Sequence, residues 1–559
     1  MGAAAALLAT LPGRLVAQGI TTGAIAGRVT DESGQPLASA QIVIRNRSSG
    51  YTVGTITRDD GRYRVQNLEP GGPYTVTARR IGMQPQTLEN QLVPLSETLS
   101  LDFKLSQQVA QLSSVQVVAT TNAGEFSATH TGTRTAISDS VLQRLPTTTR
   151  NLSDFVKITP QVSSTGPGSS AGGMSNRMNN VQIDGATERD VFGLGSTGAP
   201  GAEVNSKSIS VEAVKELQVV LAPYDVRQGN FGGFLLNAIT KSGTNDFHGS
   251  IFHAFRNQSY GADTAPVRAQ PFNRSQTGFS LGGPIIRDKL HFFTANEWTT
   301  ENTPVTGPYL DQPVSAAQKF SLASDTIARF TSLMQALGSK DLGSAGAIGI
   351  PNPLTNIFGR LDYRINDVHR MVLRYNYSDG ERLRQQNNRG TTAVVFSDNF
   401  HNFRNVKSAP VLQLFSNFAS GASNELFVGY NKWFNRRDPL STFPQIRINA
   451  QPGVNGNTSI LAGADQFSQG NQLDTKTWEI TDNYTFRPFG NHVVTVGTRN
   501  EYVWLRNWFT QSSLGVWSFR TIDSLAAGNA NSFRKAIVLS NGGNVFYKGM
   551  QNAFYAQDQ

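Results

Sequence analysis

The sequence contains no cysteine. This absence excludes a disulfide framework, a cysteine nucleophile and a thiolate metal site. Charged residues are also scarce, at 16%, against about 25% in an average soluble domain. No apolar run reaches the roughly 18 residues of a transmembrane helix, so the sequence predicts no helix that spans a bilayer.

Glycine and aromatic residues are plentiful instead, with 53 Gly and 9% aromatics among 559 residues. The length suggests three or four domains of about 150 residues each. The 49 basic and 40 acidic residues leave a net charge of +9, but the basic residues are scattered. The densest pairs, Arg79-Arg80 and Arg436-Arg437, are too thin for a nucleic-acid groove, so we expect no nucleic-acid partner. The composition indicates a large, mainly β protein.

The N-terminus carries the features of an export signal. Residues 3–11 are apolar, and small residues near Ala17 offer a cleavage site. We therefore predict a signal peptide over residues 1–18. Its basic leader segment is missing, so we expect this signal peptide to be truncated. A buried helix is the alternative, although Pro12-Gly13 would break it.

Residues 23–105 alternate apolar and polar side chains in short segments, with turn signals roughly every 8–12 residues, which predicts a β-sandwich. Three motifs are distinctive: Gly27-Arg28-Val29-Thr30-Asp31, Thr57-Arg58-Asp59-Asp60-Gly61-Arg62-Tyr63 and Leu68-Glu69-Pro70-Gly71. They resemble the carboxypeptidase regulatory-like domain, a transthyretin-like sandwich. The resemblance implies either glycan binding or a spacer role, and we favour the spacer.

Residues 106–127 form a linker that contains one short apolar strand, Val115–Ala119. An exposed strand edge is normally a liability, but it suits a partner that binds by β-augmentation. The same strand could instead complete the sandwich, and the sequence leaves both interpretations open.

Residues 128–245 predict an αβ domain. Ser138-Asp139-Ser140 precede a short helix that ends near Pro146, and a second helical segment covers Leu152–Ile158. Polar loops follow at 163–180 and 188–207. We also predict an amphipathic helix over Val211–Leu217 that leads into a strand at Gln218–Leu221.

Three stretches of this segment resemble the plug of a TonB-dependent outer-membrane receptor of the Oar-like group, which also carries an N-terminal regulatory-like sandwich. They are Ile183-Asp184-Gly185, Glu212-Ala213-Val214-Lys215-Glu216-Leu217-Gln218-Val219 and Asn237-Ala238-Ile239-Thr240-Lys241-Ser242-Gly243-Thr244-Asn245. The resemblance implies energised transport with TonB and the ExbB–ExbD motor as partners. It also implies an unknown extracellular ligand, such as a glycan, peptide or chelate.

The resemblance assigns candidate residues to two roles. The linker strand becomes the candidate TonB-contacting segment, formed by Val115, Gln116, Val117, Val118, Ala119 and Thr120. The plug loops supply the candidate ligand-binding residues, which are Ser170, Met174, Asn176, Arg177, Asn179, Asn180 and Arg189.

Beyond Asn245 the hydrophobic pattern has a period of two. In Met371–Tyr377 the odd positions are apolar or aromatic, while Arg370, Arg374 and Asn376 occupy even positions. One face therefore suits lipid and the other a polar lumen, which predicts a transmembrane antiparallel β-barrel over residues 246–559. Roughly ten strands are recognisable, with long loops at 300–354 and 379–405. Because the resembled family has 22 strands, we expect an incomplete barrel from a longer chain.

The catalytic motifs lack their structural context. Gly193–Gly198 matches a dinucleotide fingerprint but Pro200 prevents a long helix, and Gly168–Gly172 matches a nucleophile elbow inside a polar loop. No histidine cluster has metal-ligand spacing. We therefore expect no catalytic, cofactor or metal site. The predicted function is TonB-dependent uptake at the outer membrane, with the N-terminal domain in the periplasm and the barrel in lipid. The alternatives are a non-transporting surface protein or adhesin that binds glycan or protein and, less favoured, a soluble exported β protein.

Overall fold

The computed structural model describes residues 21–107, 133–163 except 146 and 148, 169–222 except 191 and 193–198, 225–260, 272–310 except 306, 321–489 and 492–558. The predicted signal peptide at 1–18 and the predicted TonB-contacting segment at 115–120 lie outside these residues. Within them, no helix is long and apolar enough to cross a bilayer.

The first described segment is the predicted β-sandwich. Its strands are β1 (Gly23–Thr30), β2 (Gln41–Asn46), β3 (Thr52–Ile56), β4 (Arg62–Leu68), β5 (Gly71–Arg79), β6 (Gln86–Val93), β7 (Thr98–Ser100) and β8 (Phe103–Lys104). One sheet has the order β4–β1–β7, with β8 also pairing with β1, and the other has the order β3–β2–β5–β6. Tyr63, Tyr74 and Phe103 are fully buried among its core residues.

The second segment is the plug, a five-stranded sheet with short helices. Its elements are β9 (Thr133–Ser138), α1 (Asp139–Arg144), α2 (Leu152–Val156), β10 (Val162–Ser163), β11 (Ser170–Ala171), β12 (Asn180–Ile183), β13 (Ala186–Thr187), β14 (Val214–Ala222) and β15 (Leu235–Thr240). The sheet order is β13–β12–β15–β14–β9, and β10 pairs with β11 as a separate hairpin. Single 3₁₀ turns cover Asn176–Met178, Ala202–Val204 and Val211–Ala213.

The two short predicted helices are confirmed, but the third is wrong. Asn151 caps α2 in a capping box with Asp154. The predicted helix at Val211–Leu217 is instead a 3₁₀ turn followed by β14. Because β14 pairs with β15 on one side and β9 on the other, tertiary pairing overrides the local helix preference of this Glu-, Ala- and Lys-containing stretch.

The remaining chain forms long barrel strands and a smaller sheet built from the connecting loops. The elements are β16 (His248–Asn257), β17 (Asn273–Ile286), β18 (Leu290–Pro304), α3 (Ser324–Ala336), β19 (Gly349–Pro351), β20 (Leu354–Arg364), β21 (His369–Arg384), β22 (Ala393–Val395), β23 (His401–Asn417), β24 (Ser423–Pro439), β25 (Gln445–Gly453), β26 (Gly456–Ala462), β27 (Asn471–Phe486), β28 (Val494–Phe509), β29 (Val516–Phe519), α4 (Ile522–Ala526), β30 (Ser532–Arg534) and β31 (Asn544–Asp558).

Ten long antiparallel strands follow one another as neighbours in the barrel sheet, in the order β16–β17–β18–β20–β21–β23–β24–β27–β28–β31. This confirms the prediction of roughly ten strands. The strand at β23 was missed, because Pro410 interrupts its pattern. Its register with β24 passes from Ser408↔Lys432 directly to Val411↔Gly429, as expected where proline removes a ladder donor.

The connections between barrel strands alternate between short and long. Residues 287–289, 365–368 and 418–422 make short turns at one end, which we call the short-turn end, and only seven residues separate β27 from β28 at that end. Segments such as 305–353 and 440–470 join strands at the opposite, long-loop end. This asymmetry is typical of outer-membrane barrels, whose short turns face the periplasm.

The long connections fold into a domain of their own, which we call the loop domain. Its sheet has the order β22–β26–β25–β29–β30, and α3 and α4 cover a core that includes Phe330, Met334 and Ile448. The sequence predicted loops over two of these connections, at 300–354 and 379–405. It did not reveal the strands of the loop domain, because they are short and come from different connections. Such non-local pairing leaves little local signal.

Candidate functional site

The barrel wall turns a polar face towards the plug. On β21 the even positions from Arg370 to Ser378 are buried, whereas Leu373 and Tyr375 are exposed. The predicted assignment of Arg370, Arg374 and Asn376 to the inner face is therefore correct. Buried charges are costly unless they are paired, so the partners of these side chains determine how the plug is held.

The Ile183-Asp184-Gly185 motif is the tight turn of the β12–β13 hairpin. Ile183 pairs with Ala186, which leaves a two-residue turn in which Asp184 and Gly185 both have positive φ, at 45° and 80°. Asp-Gly favours this turn because glycine adopts positive φ without a steric cost.

The same turn binds the plug sheet to the barrel wall. The Asp184 carboxylate accepts hydrogen bonds from the Thr240 backbone N–H and hydroxyl at 2.8 and 2.7 Å. Its Oδ2 also lies 3.4 Å from Nε of Arg374 on β21. Arg374 donates to the backbone carbonyl of Ile183 as well.

A second carboxylate of the plug, Glu188, pairs with Lys407 of β23. The two carboxylate oxygens lie 2.9 and 2.7 Å from the lysine Nζ, and both side chains are at most 2% exposed. Lys407 also donates to the Ser208 carbonyl at 2.6 Å and lies over the Trp433 ring. This pair is therefore fully withdrawn from water.

The charges are reversed in a third contact. Lys207 of the plug pairs with Glu297 of β18, and both are at most 2% exposed. Ser210 and Gln276 donate to the same carboxylate, at 2.7 and 2.5 Å. Burial lowers the pKa of Lys207, while Glu297 acts in the opposite direction.

A fourth contact joins the plug to β27 and β28. Glu479 accepts from the Thr187 backbone N–H at 3.0 Å and pairs with Arg499 at 2.6 Å. Arg189 lies 3.7 Å from Glu501 and donates to Asn230 at 2.8 Å. Five wall strands (β18, β21, β23, β27 and β28) thus hold the plug through desolvated charged groups.

The predicted ligand-binding residues separate into two sets. Met174 and Arg177 are exposed, and Ser170 and Asn176 are half-buried. Asn179 and Asn180 have no exposed surface, and Asn179 holds the loop by donating to Ser169 and accepting from Phe234 N–H. Arg189 is occupied with Asn230 and Glu501. Asn179 and Asn180 therefore present no surface to a ligand in this conformation, whereas the other predicted residues are at least partly exposed.

Two further apolar side chains of the plug loops, Met178 and Phe192, are also exposed, at 46% and 44%, and the sequence did not single them out. The sequence did not single out the buried ion pairs between plug and wall either. The sequence shows such a pair only as a charged residue at an inward position of an alternating strand, as at Lys407. The partner of that residue is identified only by the fold. Among the described residues, no group of three or more His, Asp or Glu side chains could hold a metal ion.

The sandwich is docked at the short-turn end of the barrel. It contacts the turns of the wall, where Arg58 donates to the Arg487 carbonyl at 3.2 Å and Asn67 to the Asn424 carbonyl at 3.3 Å. The Asn245 backbone N–H, just before β16, donates to the Ser48 carbonyl at 2.7 Å.

The sandwich also contacts the plug directly. Glu69 lies 3.4 Å from Lys215 of β14 and accepts from Ser242. Burial would raise the pKa of Glu69, but Lys215, Arg360 and Arg370 outweigh it and hold that pKa well below its ordinary value. The sandwich and plug are therefore coupled by a charged contact, in addition to the linker.

Comparison with known proteins identifies the class. The model of the outer membrane beta barrel domain matches residues 239–338 and 351–559, more than half of the chain, and that of the carboxypeptidase regulatory-like domain matches residues 24–106. The chain therefore belongs to the outer-membrane β-barrel family, with the sandwich, plug and barrel of the Oar-like TonB-dependent receptors.

Two curated relatives carry the same class name. The TonB-dependent transporter Oar of Myxococcus xanthus is 25% identical over 307 residues, which cover 50% of this chain and 28% of that protein. The "Probable TonB-dependent siderophore receptor PirA" of Acinetobacter baumannii is 26% identical over 165 residues, 27% of this chain and 21% of that protein. This chain thus matches less than a third of either relative's length.

A solved structure supports the fold. The outer membrane transporter YddB from Escherichia coli aligns with a TM-score of 0.52 at 13% identity, covering 76% of this chain and 54% of that chain. At this identity the likeness concerns the fold alone. Together with the family match it places the protein in the outer membrane.

The Glu188–Lys407 pair generates a first prediction. Lys407→Met leaves a buried carboxylate without its cation, so we expect the plug to be held less tightly by about 3–5 kcal/mol. Hydrogen exchange of the β12 and β13 amides measures this free energy. The double variant Glu188→Gln/Lys407→Met should recover part of the loss.

The control is Arg404→Met, which breaks the exposed Arg404–Asp379 pair at 2.8 Å on the same wall strand. Exposed pairs contribute about 0–1 kcal/mol. Equal losses for Lys407→Met and Arg404→Met would contradict the assigned role of the buried pair.

The Glu69 contact generates a pH prediction. Because the pKa of Glu69 is lowered in the docked state, its contribution is present above the ordinary value of 4.5 and is lost as the pH falls below it. Spin labels on Ser33→Cys in the sandwich and Ala419→Cys in a barrel turn report docking, since the chain has no other cysteine. We expect a narrow distance distribution at neutral pH that broadens below pH 4.5.

Glu69→Gln should broaden the same distribution at neutral pH. The matched control is Glu89→Gln, which removes an exposed sandwich carboxylate that lies 3.7 Å from Arg47. A narrow distribution for Glu69→Gln at every pH would show that this contact does not hold the sandwich in place.

Proposed function

We propose that this chain forms part of a TonB-dependent outer-membrane transporter that takes up an unidentified ligand. The observation that supports this most strongly is a folded plug held against the barrel wall by desolvated ion pairs, together with a sandwich docked at the short-turn end. A barrel that only anchors a surface protein has no need of such a plug.

The orientation follows from the two ends of the barrel. Short turns face the periplasm in outer-membrane barrels, so the docked sandwich lies on the periplasmic side. The loop domain then faces the outside, where a glycan, peptide or chelate would arrive.

The linker connects β8 of the sandwich to β9 of the plug. In this proposal TonB adds a strand to Val115–Thr120, and the ExbB–ExbD motor supplies the pull. Tight ligand binding alone favours the closed, loaded state, so opening requires energy from outside.

The plug topology indicates where a pull acts first. β9 is an edge strand that pairs only with β14 in the plug sheet. A load applied at Thr133 can therefore remove β9 one residue at a time without breaking β12, β14 and β15 together. The buried pairs further along the chain resist until β9 has detached.

The proposed role of the linker is tested by proline substitution. Val117→Pro removes a ladder donor from the candidate strand, so binding to the TonB C-terminal domain should fall at least tenfold. The matched control Ala110→Pro lies in the same linker outside the strand and should bind as the unaltered receptor does. The measurement is the dissociation constant for the full-length receptor in membranes.

Two outcomes would contradict the proposal in different ways. Unchanged TonB binding by Val117→Pro would remove the assignment of this strand. No TonB binding by the folded, unaltered receptor would favour the adhesin instead.

A further inference from the structure

The inner wall carries a cluster of basic side chains at the long-loop end, away from the four plug contacts. Arg384 on β21 is opposite His401 on β23, and Phe403 on β23 is opposite Arg437 on β24. We call these four residues, together with Gln385, the arginine recess. Its floor is buried, with His401 at 1% and Phe403 at 3% exposed, while Arg384, Gln385 and Arg437 are half-buried.

The two guanidinium groups converge on one aromatic ring. The Cζ atoms of Arg384 and Arg437 lie 5.9 and 5.7 Å from the centre of the Phe403 ring. Arg437 donates one hydrogen bond, to Gln386 at 3.0 Å. Within the described part of the chain, neither guanidinium has a carboxylate within salt-bridge distance.

Neighbouring arginines on the outer face behave differently. Arg404 pairs with Asp379 at 2.8 Å, and Arg436, next to Arg437, pairs with Asp438 at 2.6 Å. Exposed arginines of these strands are thus neutralised by nearby acids, while the two inward arginines are not. A buried cation without an anion costs more free energy than an exposed one. The lack of a carboxylate partner at the two inward arginines therefore indicates a site that binds an anion.

Several polar atoms of the recess lack hydrogen-bond partners among the described residues. They are Nδ1 of His401, Nε of Arg437 and both amide atoms of Gln385. Buried polar atoms in native proteins are nearly always satisfied by protein, water or ligand. The donors among these atoms, beside two guanidinium groups that lack a carboxylate partner, indicate a polar ligand with acceptor oxygens, whereas Oε1 of Gln385 is itself an acceptor.

The nearest acids do not replace that ligand. Glu203, on the plug turn Ala202–Val204, and Asp465, in the loop domain, interact electrostatically with Arg437. Burial raises the pKa of both carboxyl groups, and among the described residues neither acid lies within salt-bridge distance of Arg384 or Arg437. Oε1 of Glu203 has no hydrogen-bond partner among the described residues.

We propose that the arginine recess binds an oxyanion carried by the transported ligand, either a carboxylate or a phosphate. Each guanidinium group can donate two parallel hydrogen bonds, which matches the arrangement of oxygens in a planar carboxylate or a tetrahedral phosphate. The inference rests on the proposed function in one respect, that the ligand enters from the long-loop end.

The test is a calorimetric titration of the full-length receptor in detergent with two probes, citrate and inorganic phosphate. We expect at least one probe to bind, and Arg384→Gln/Arg437→Gln to weaken it at least tenfold. Arg436→Gln, on the outer face of the same strand, is the matched control and should leave the affinity unchanged. Arg384→Lys keeps the positive charge but removes the paired N–H donors of the guanidinium group. It provides a second variant if the double substitution unfolds the receptor.

Each outcome has a defined meaning. Binding of citrate alone identifies a carboxylate ligand, binding of phosphate alone identifies a phosphate, and binding of both supports the shared oxyanion chemistry. Binding of neither probe, or equal effects of the inner and outer substitutions, overturns the proposal. TonB is absent from the titration, so failure here leaves the transport proposal standing, and loss of TonB binding by Val117→Pro leaves this result unaffected.

Discussion

A polar lumen wall cannot be left without partners. The alternation that presents apolar side chains to lipid also turns charged side chains inward, and a desolvated charge without a partner is costly. The plug resolves this constraint, because Asp184, Glu188 and Lys207 each meet an opposite charge on the wall. The position of the plug, and therefore the closed state of the barrel, depends on this matching.

Such pairs fix position more than they add stability. A buried ion pair repays little of its desolvation cost, whereas a pair broken on one side is strongly unfavourable. Small displacements of the plug are therefore resisted, while a sustained pull that removes the plug segment by segment breaks the pairs in turn. The docked sandwich contacts the plug through Glu69 and Lys215, so a load on the sandwich acts on the plug as well.

Much of this architecture was predictable because its signals are local. Period-two alternation around Arg374 identified the wall, and the Ile183-Asp184-Gly185 turn carried the resemblance to the plug. The errors have a common cause in non-local pairing. Val211–Leu217 has helix-forming residues but becomes a strand between two others, Pro410 concealed β23, and the loop domain assembles strands from separate connections.

The candidate site was predictable only in part. Met174 and Arg177 are exposed as a ligand-binding role requires, but the sequence could not show that Asn179 and Asn180 are buried. It also could not show that Arg384 and Arg437 meet over Phe403, since they come from strands that are not adjacent. Whether an arginine forms an ion pair or is available to a ligand depends on the face of the barrel sheet that it occupies. Its neighbours on that face are set by the register between the strands.

The central claim is that a pull on the linker removes the plug from β9 onward while the barrel remains folded. The direct measurement is single-molecule pulling on the N-terminus of the receptor in a membrane, with a disulfide between Val204→Cys and Gly380→Cys. A Cβ at Gly380 would lie 2.9 Å from a Val204 methyl carbon, so the two sites are close enough to cross-link. With the disulfide formed, extension of the plug should stop after the 72 residues from Thr133 to Val204, about 250 Å at roughly 3.5 Å per residue, and reduction should release the rest. The same extension with and without the disulfide, or a barrel that unfolds before the plug, would contradict the account.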